Sequence, residues 1–158
     1  MKKHDLKDDI GYWLNRLRMQ VHHGFEVRLE AYDVSIAQWC ILLALYNESA
    51  ASITELSKFI EVDKASISRV VERLLTKELV THQAGNDRRS GHVQLTQKGR
   101  ELIPFLIQAA QENEQQFFGG LTSQEREQFR HLFHKLFLNL SSIQMSGWLI
   151  NVKENDDV

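Results

Sequence analysis

The sequence contains little that would tie it to a membrane or to a disulfide framework. Its 158 residues include one cysteine, Cys40, which excludes an intramolecular disulfide. It has no run of roughly 18 consecutive apolar residues, so no transmembrane helix is expected. The charged N-terminus is not followed by an apolar run of signal-peptide length. Together these absences predict a cytoplasmic protein, and the length of 158 residues predicts a single domain.

Motifs that carry catalysis are missing as well. The chain has no glycine-rich phosphate loop, no nucleophile elbow and no pair of carboxylates in a plausible setting. Cys40 lies beside Trp39, Ile41 and Leu42, which predicts a buried, inert thiol, because a redox-active cysteine needs exposure and a nearby positive group. We therefore expect no enzyme activity and no cofactor.

The formal net charge is small, −2, but it is unevenly distributed. Residues 1–62 contain 7 Lys/Arg and 9 Asp/Glu, whereas residues 63–100 contain 8 and 4. Residues 101–158 contain 4 and 8. Positive charge is thus concentrated in the middle of the chain, a distribution typical of a local nucleic-acid contact with an acidic remainder that limits non-specific adhesion.

The segment that begins at Asp63 has the pattern of an amphipathic helix. Asp63 suits the N-cap position, and an apolar stripe follows at helical spacing: Ile67, Val70, Val71, Leu74 and Leu75. The other face carries Lys64, Ser66, Ser68, Arg69, Glu72 and Arg73. Arginine and serine can read base edges in a major groove, so we interpret this as a recognition helix. The alternative is an ordinary helix with a solvated charged face.

A short hairpin is predicted after this helix. Residues 79–83 and 92–95 have strand patterns, and Gly, Asn and Asp between them favour a turn. Two adjacent arginines, Arg88 and Arg89, at an exposed tip gain nothing for folding, but they suit a narrow minor groove. Asp87 can hold Arg89 extended. The alternative is a surface loop that happens to be charged.

The remaining helices are indicated by caps and apolar spacing. Helices are predicted over residues 5–30, 35–46 and 52–60, with capping boxes at Ser35 and Ser52. Two more follow: one from Thr96 to about Phe118, and one capped by Thr122 with a dense aromatic stripe. Ser52 and Thr54 lie at a helix N-terminus, where free N–H groups and hydroxyls commonly meet a phosphate.

These motifs resemble the winged helix-turn-helix of the MarR family of bacterial transcription regulators. The resemblance rests on residues 52–57 and 63–75, on Asp87 and Arg89 as an Asp-x-Arg wing tip, and on Leu95, Thr96 and Gly99 as Leu-Thr-x-x-Gly. It implies a mainly α-helical fold with a small β-hairpin wing. It also implies one domain over residues 1–158, with dimerisation helices at 5–32 and 101–145 and the DNA-binding lobe at 33–100.

The function that this resemblance implies is a homodimeric regulator, expected to be a repressor, that leaves an inverted-repeat operator when a small-molecule effector binds. Bases would be contacted by Ser66, Ser68 and Arg69. Phosphates would be contacted by Ser52, Thr54, Lys64 and Arg73, and the minor groove by the tip with Asp87, Arg88 and Arg89. A winged helix used only for protein–protein contact is the alternative from another class.

The effector is expected to be an aromatic acid or a phenol, bound where the dimerisation helices meet the DNA-binding lobe. Tyr12, Arg16, His22 and Trp39 are the predicted contacts, with Arg16 taking a carboxylate. A metal-responsive regulator is a further alternative, because His131 and His134 share a helical face. Neither the His131–His134 pair nor the adjacent His22 and His23 has an obvious carboxylate or cysteine to complete a site, so no metal is predicted.

Overall fold

The computed structural model describes residues 5–83 and 92–142. A 3-10 turn, Leu6–Asp8, comes before the first helix. The helices and strands that follow, in chain order, are α1 (Ile10–Glu30), α2 (Ile36–Tyr46), α3 (Ile53–Ile60), α4 (Lys64–Thr76), β1 (Val80–His82), β2 (Val93–Leu95), α5 (Gln97–Phe118) and α6 (Ser123–Ser142). The prediction of a mainly helical chain with one small hairpin is confirmed.

The chain forms two compact units, Met1–Phe117 and Phe118–Val158. In the first unit α2 is the central helix, because Ile41, Leu42 and Ala44 are all buried, as are Gln38 and Trp39. Buried side chains from the surrounding elements complete the core: Leu29, Leu56, Ile67, Val71, Leu74, Val80, Val93, Ile103 and Leu106. α3 and α4 are thereby held in place by the apolar stripes that their sequences contain. Within the described residues, no helix combines the length and the apolar character needed to cross a membrane.

The start of the first helix differs from the prediction. Helix was expected from residue 5, but α1 begins at Ile10. The side chain of Asp5 accepts from the Lys7 N–H and caps the 3-10 turn instead. Asp9 then takes an extended conformation, with φ −94° and ψ 117°, which separates the turn from the helix. Asp5, Asp8 and Asp9 each offer an N-cap, and the sequence pattern does not choose between them.

The predicted helix caps are confirmed. At α2, the Ser35 hydroxyl accepts from the Gln38 N–H, and the Gln38 side chain accepts from the Ser35 N–H. The same reciprocal pair forms at α3 between Ser52 and Glu55. Each box satisfies two of the N–H groups that a helix start leaves without partners.

The hairpin is attached to the start of α3 by backbone hydrogen bonds. β1 and β2 are antiparallel, with Val80 opposite Leu95 and His82 opposite Val93. The Val93 N–H donates to the Ala51 carbonyl at 2.8 Å, and Ser52 forms a β-bridge with His92. The base of the hairpin is therefore fixed to the first helix of the α3–α4 pair.

The second unit consists of the end of α5 and α6. Phe129 lies 6.1 Å from Phe118 and 4.8 Å from Phe133, measured between ring centroids, and Phe133 is 6.4 Å from Phe137. These rings form the predicted aromatic stripe along α6. Three leucines of α6 are exposed by about half: Leu132, Leu136 and Leu138.

Candidate nucleic-acid interface

α3 and α4 are joined by a tight turn with a left-handed residue. Glu61 ends α3 with φ 60° and ψ 40°. The Ser57 hydroxyl donates to the Val62 carbonyl at 2.7 Å, and the Val62 N–H donates back to the Ser57 carbonyl at 3.1 Å. This exchange holds the turn closed, so the direction in which α4 leaves α3 is set by local hydrogen bonds.

α4 has one buried and one exposed face, as its sequence predicts. Ile67, Val71 and Leu74 are buried, whereas Lys64, Arg69 and Arg73 are exposed and Ser66 and Ser68 are half-buried. The predicted recognition residues are thus placed together on the outer side of one helix. Cationic and hydroxyl groups on one exposed helix face are the groups that reach base edges and phosphates in a major groove.

The N-terminus of α4 is capped by an ionised carboxylate. Asp63 Oδ1 accepts from the Ser66 N–H at 2.9 Å. Hydrogen bonds from the Ser66 side chain, and then from the Ser66 backbone N–H, lower the pKa of Asp63 below its ordinary value. Asp63 therefore stays charged at neutral pH and stabilises the helix end that carries Lys64 and Ser66.

Arg69 lies back along α4 toward its N-terminus. Its Nε donates to the Ala65 carbonyl and its Nη2 to the Ser66 hydroxyl, both at 3.3 Å. The contact with Ser66 places a guanidinium and a hydroxyl side by side on the exposed face. Because both bonds are long and solvent-exposed, the guanidinium can exchange them for a stronger charge-assisted partner without a large cost.

The other predicted DNA contacts are placed differently. Ser52 is 7% exposed, and its hydroxyl is the acceptor of the α3 capping box, so its side chain serves the helix end. Thr54, two residues later, is exposed. Asp87, Arg88 and Arg89 lie outside the described residues.

The predicted effector residues fall into three separate settings. Arg16 donates to the Tyr12 hydroxyl at 2.9 Å, and its guanidinium carbon is 5.6 Å from the Tyr12 ring centroid. His22 pairs instead with Glu26, with 3.3 Å between Nε2 and Oε1. Trp39 is buried and packs edge-on against Phe25. The structure thus brings Tyr12 and Arg16 together, while Trp39 serves the core.

The cysteine and histidine side chains show no sign of a reactive or metal-binding centre in the described ranges. Cys40 is half-buried, so it is less enclosed than expected, and burial raises the pKa of its thiol. A raised pKa disfavours the nucleophilic thiolate. No group of three or more His, Cys, Asp or Glu side chains able to hold a metal is found among residues 5–83 and 92–142.

The structure contains a cleft that the sequence did not indicate. This cleft, which we call the Lys98 cleft, has a volume of about 470 Å³ and is lined by Tyr32, Asp33, Lys77, Leu79, Lys98, Glu101, Leu102 and Phe105. Its residues come from the turn after α1, the C-cap of α4, the position before β1 and the first half of α5. No local motif links segments so far apart in the chain, which is why sequence reasoning missed it. A second, wider cleft includes Glu26, Glu30 and Arg73.

Comparison with known proteins gives consistent results. A family model described as the MarR family matches residues 32–90. The transcriptional repressor NicR of Pseudomonas putida is 29% identical over 84% of this chain and 85% of its own length. The transcriptional repressor IacR of the same species is 26% identical over 84% and 80%. A structure of Bordetella bronchiseptica BpsR, whose DNA binding is regulated by 6-hydroxynicotinic acid, is 28% identical with a TM-score of 0.75, and the match covers 86% of this chain and 99% of that one.

Proposed function

Because the chain belongs to the MarR family, we propose that it is a dimeric transcriptional repressor that binds an inverted-repeat operator and is released by a small-molecule effector. The observation that carries this proposal is the outer face of α4, where the Asp63-capped helix presents Ser66 and Arg69 in contact beside Lys64 and Arg73. The relatives NicR and IacR are named as repressors. This supports both the proposed role and the expectation that the protein is not an enzyme.

The proposed division of labour on DNA follows the exposure of each side chain. Ser66, Ser68 and Arg69 contact bases, since they lie in the first half of α4, the part that usually enters the major groove. Lys64, Arg73 and Thr54 are exposed and contact phosphates. Arg88 and Arg89 enter the flanking minor groove, a proposal that rests on the sequence alone.

A second copy of the chain is the proposed partner of the dimerisation helices. Ile10, Trp13 and Leu14 share one face of α1 and are 82%, 51% and 45% exposed. Contiguous exposed apolar side chains on a helix favour burial against a partner. Pairing the copies would place the two α4 helices in successive major grooves, about 34 Å apart on B-DNA.

Effector release needs only a modest coupling between the ligand and the DNA site. Allosteric coupling free energies are typically about 1–3 kcal/mol. Effector binding would supply such a coupling if it changed the separation of the two α4 helices and so weakened operator binding. Regulation of BpsR by 6-hydroxynicotinic acid supports an aromatic acid as the effector class. Tyr12 is half-buried and Arg16 is exposed, and the two side chains are hydrogen-bonded on α1, so they remain proposed effector contacts.

The experiment that tests this function is a selection from a pool of random duplex DNA, followed by mobility-shift measurements at two salt concentrations. Enrichment of an inverted repeat, with affinity that falls steeply as salt rises, is expected because each phosphate contact releases counterions. A pool that shows no enriched sequence, or an affinity that does not respond to salt, would refute operator binding.

Arg69→Ala gives the residue-level test of the same proposal. The variant should lose about 1–3 kcal/mol of operator binding and relax the preference at one base position per half-site. Arg130→Ala is the matched control, because Arg130 is exposed on α6 and pairs with Glu127 at 2.8 Å. If Arg69→Ala weakened all sequences equally, Arg69 would be a phosphate contact and the assignment of base contacts would be wrong.

A further inference from the structure

We propose that Asp63 is a positioning residue, which directs the Arg69 guanidinium through the Ser66 hydroxyl and thereby sets how strictly the operator sequence is read. Asp63 caps α4 by accepting from the Ser66 N–H, and the positioning role is an addition to that capping role. The effect on sequence preference rests on the proposed operator binding. The effect on the direction of Arg69 concerns the free protein and does not depend on DNA.

The spacing of the three residues places their side chains in a row. Asp63 lies three positions before Ser66, and Ser66 lies three positions before Arg69. Side chains three positions apart on a helix are neighbours, whereas six positions correspond to a rise of about 9 Å along the helix axis. Ser66 is therefore the residue placed to connect the carboxylate with the guanidinium.

The hydrogen bonds of the Ser66 hydroxyl can run in only one direction. Its oxygen accepts from Arg69 Nη2 at 3.3 Å, because a guanidinium has donors and no acceptor. Its single proton goes to the Asp63 carboxylate, which only accepts when it is ionised. Asp63 thus holds the hydroxyl with its lone pairs available to Arg69. An uncharged amide at position 63 could also donate to the hydroxyl, so it would not fix this direction.

The charges of Asp63 and Arg69 reinforce the connection. Hydrogen bonds from the Ser66 side chain and then from its backbone N–H lower the pKa of Asp63, and the positive charge of Arg69 lowers it further. The same attraction favours a guanidinium that points toward the start of α4, where Arg69 Nε also donates to the Ala65 carbonyl at 3.3 Å. Long helical side chains lean in this direction without strain, so the charge stabilises a conformation that is already accessible.

This arrangement orders Arg69 without using up its capacity to bind a base. Both bonds of the guanidinium are 3.3 Å long and solvent-exposed, so a base that accepts more strongly can replace them. Because the side chain is already ordered, it loses less conformational entropy when it binds. Without the charge of Asp63, the guanidinium would point in more directions and would accept more partners, so the sequence preference should fall.

The DNA test compares two duplexes: the selected operator, and the same operator changed at the base pair for which Arg69→Ala loses its preference. Asp63→Asn is the test variant, because asparagine caps a helix as well as aspartate does but carries no charge. The ratio of the two affinities should fall about fivefold. Glu72→Gln is the matched control, since it removes an exposed carboxylate from the same helix, and it should keep the parental ratio.

A double-variant cycle shows whether Asp63 acts through Arg69. If it does, Asp63→Asn combined with Arg69→Ala should give the same ratio as Arg69→Ala alone. Additive effects would refute the connection. An equal change in the affinity for both duplexes would mean that Asp63 only repels phosphates, and a parental ratio in Asp63→Asn would reduce Asp63 to a helix cap.

A measurement without DNA separates this role from the proposed function. In proton–nitrogen correlation spectra of the free full-length protein, the Arg69 Nε–H resonance is identified by its loss in Arg69→Ala. It should shift and exchange faster with water in Asp63→Asn and in Ser66→Ala, but not in Glu72→Gln.

Urea unfolding should show that Asp63→Asn is about as stable as the parent, and Asp63→Ser, which also caps without a charge, takes its place if it is not. An unchanged Arg69 resonance in a folded variant without the Asp63 charge would overturn the positioning role, whatever the result with DNA. If no operator is selected at all, the proposed function fails, while the resonance still decides whether Asp63 directs Arg69.

Discussion

At the residue scale, the close approach of the Leu79 backbone explains why a glycine, Gly99, occupies the last position of the Leu-Thr-x-x-Gly segment. A Cβ at this position would lie 2.1 Å from the Leu79 backbone carbonyl oxygen and 3.3 Å from Leu95 Cδ2. The close neighbour is backbone, so it cannot rotate away. The glycine thus permits α5 to start directly against the end of α4 and the first strand of the wing.

Gly99→Ala should accordingly destabilise the protein by about 2–3 kcal/mol through overpacking, which a urea titration of unfolding would measure. Gly11→Ala is the matched control, since a Cβ there would meet nothing closer than Asp9 Oδ1 at 3.8 Å. Alanine has the higher helix propensity, so the control should be neutral or slightly stabilised. Equal stabilities of the two variants would contradict the close approach at Gly99.

Single residues also show what the sequence could and could not predict. The capping roles of Ser35, Ser52 and Asp63 were predictable because each depends on a partner three residues away. The burial of Ser52 was not, since it depends on the bridge to His92, forty residues later. The exposure of a candidate DNA-contacting side chain is therefore harder to predict from the sequence than a helix-capping role.

At the scale of elements, the capping box of α3 predicts a specific dependence on pH. Glu55 Oε2 accepts from the backbone N–H groups of Ala51 at 2.9 Å and of Ser52 at 3.0 Å. These bonds, led by the one from Ala51, lower the pKa of Glu55 below its ordinary value. A carboxyl with a lowered folded-state pKa stabilises the fold above its unfolded-state pKa, and that stabilisation is lost as pH falls through the folded-state value.

Glu55→Gln should therefore be less stable than the parent at neutral pH. The difference should shrink as pH falls below about 4, the ordinary range of a glutamate, toward the lowered pKa. Thermal unfolding measured from neutral to acidic pH would test this, with Glu72→Gln as the control because Glu72 is an exposed glutamate on α4. A stability gap that stayed constant over the whole pH range would rule out the charge of Glu55 as its source.

Helices were predictable from the sequence because their caps and apolar stripes are local. A site that is assembled from distant segments was not predictable. α4 was predicted correctly from its N-cap and its apolar stripe. The start of α1 was predicted five residues too early, because Asp5, Asp8 and Asp9 compete for the role of N-cap. The Lys98 cleft contains a pair, Lys77 and Asp33, that lie 44 positions apart in the chain. No helix or strand periodicity predicts a contact over that distance.

At the scale of the whole molecule, the positive charge and the exposed apolar face of α1 fall in different parts of the sequence. The excess of positive charge in residues 63–100 coincides with α4, the hairpin and the start of α5. The exposed apolar side chains of α1 lie outside this region of the sequence, among them Ile10, Trp13 and Leu14. In the proposed dimer, the apolar face of α1 would meet the second copy, and the charged face of α4 would stay available for the proposed DNA contacts.

Leu14→Glu tests this division, because it places a charge within the exposed apolar face of α1. The variant should be monomeric in sedimentation equilibrium, since an unpaired charge opposes burial of that face, while its circular dichroism stays helical because Leu14 is 45% exposed in the single chain. Operator affinity should fall when dimerisation is lost, since one recognition helix then lacks the partner that doubles its contacts.

Met19→Glu is the control for this variant. Met19 is 54% exposed, but it lies five positions after Leu14 on the helix and therefore faces about 140° away from it. It should remain a dimer with parental affinity. A dimeric Leu14→Glu, or a Met19→Glu that dissociates equally, would assign the interface to another surface and leave the DNA-binding face of α4 to be tested by Arg69→Ala alone.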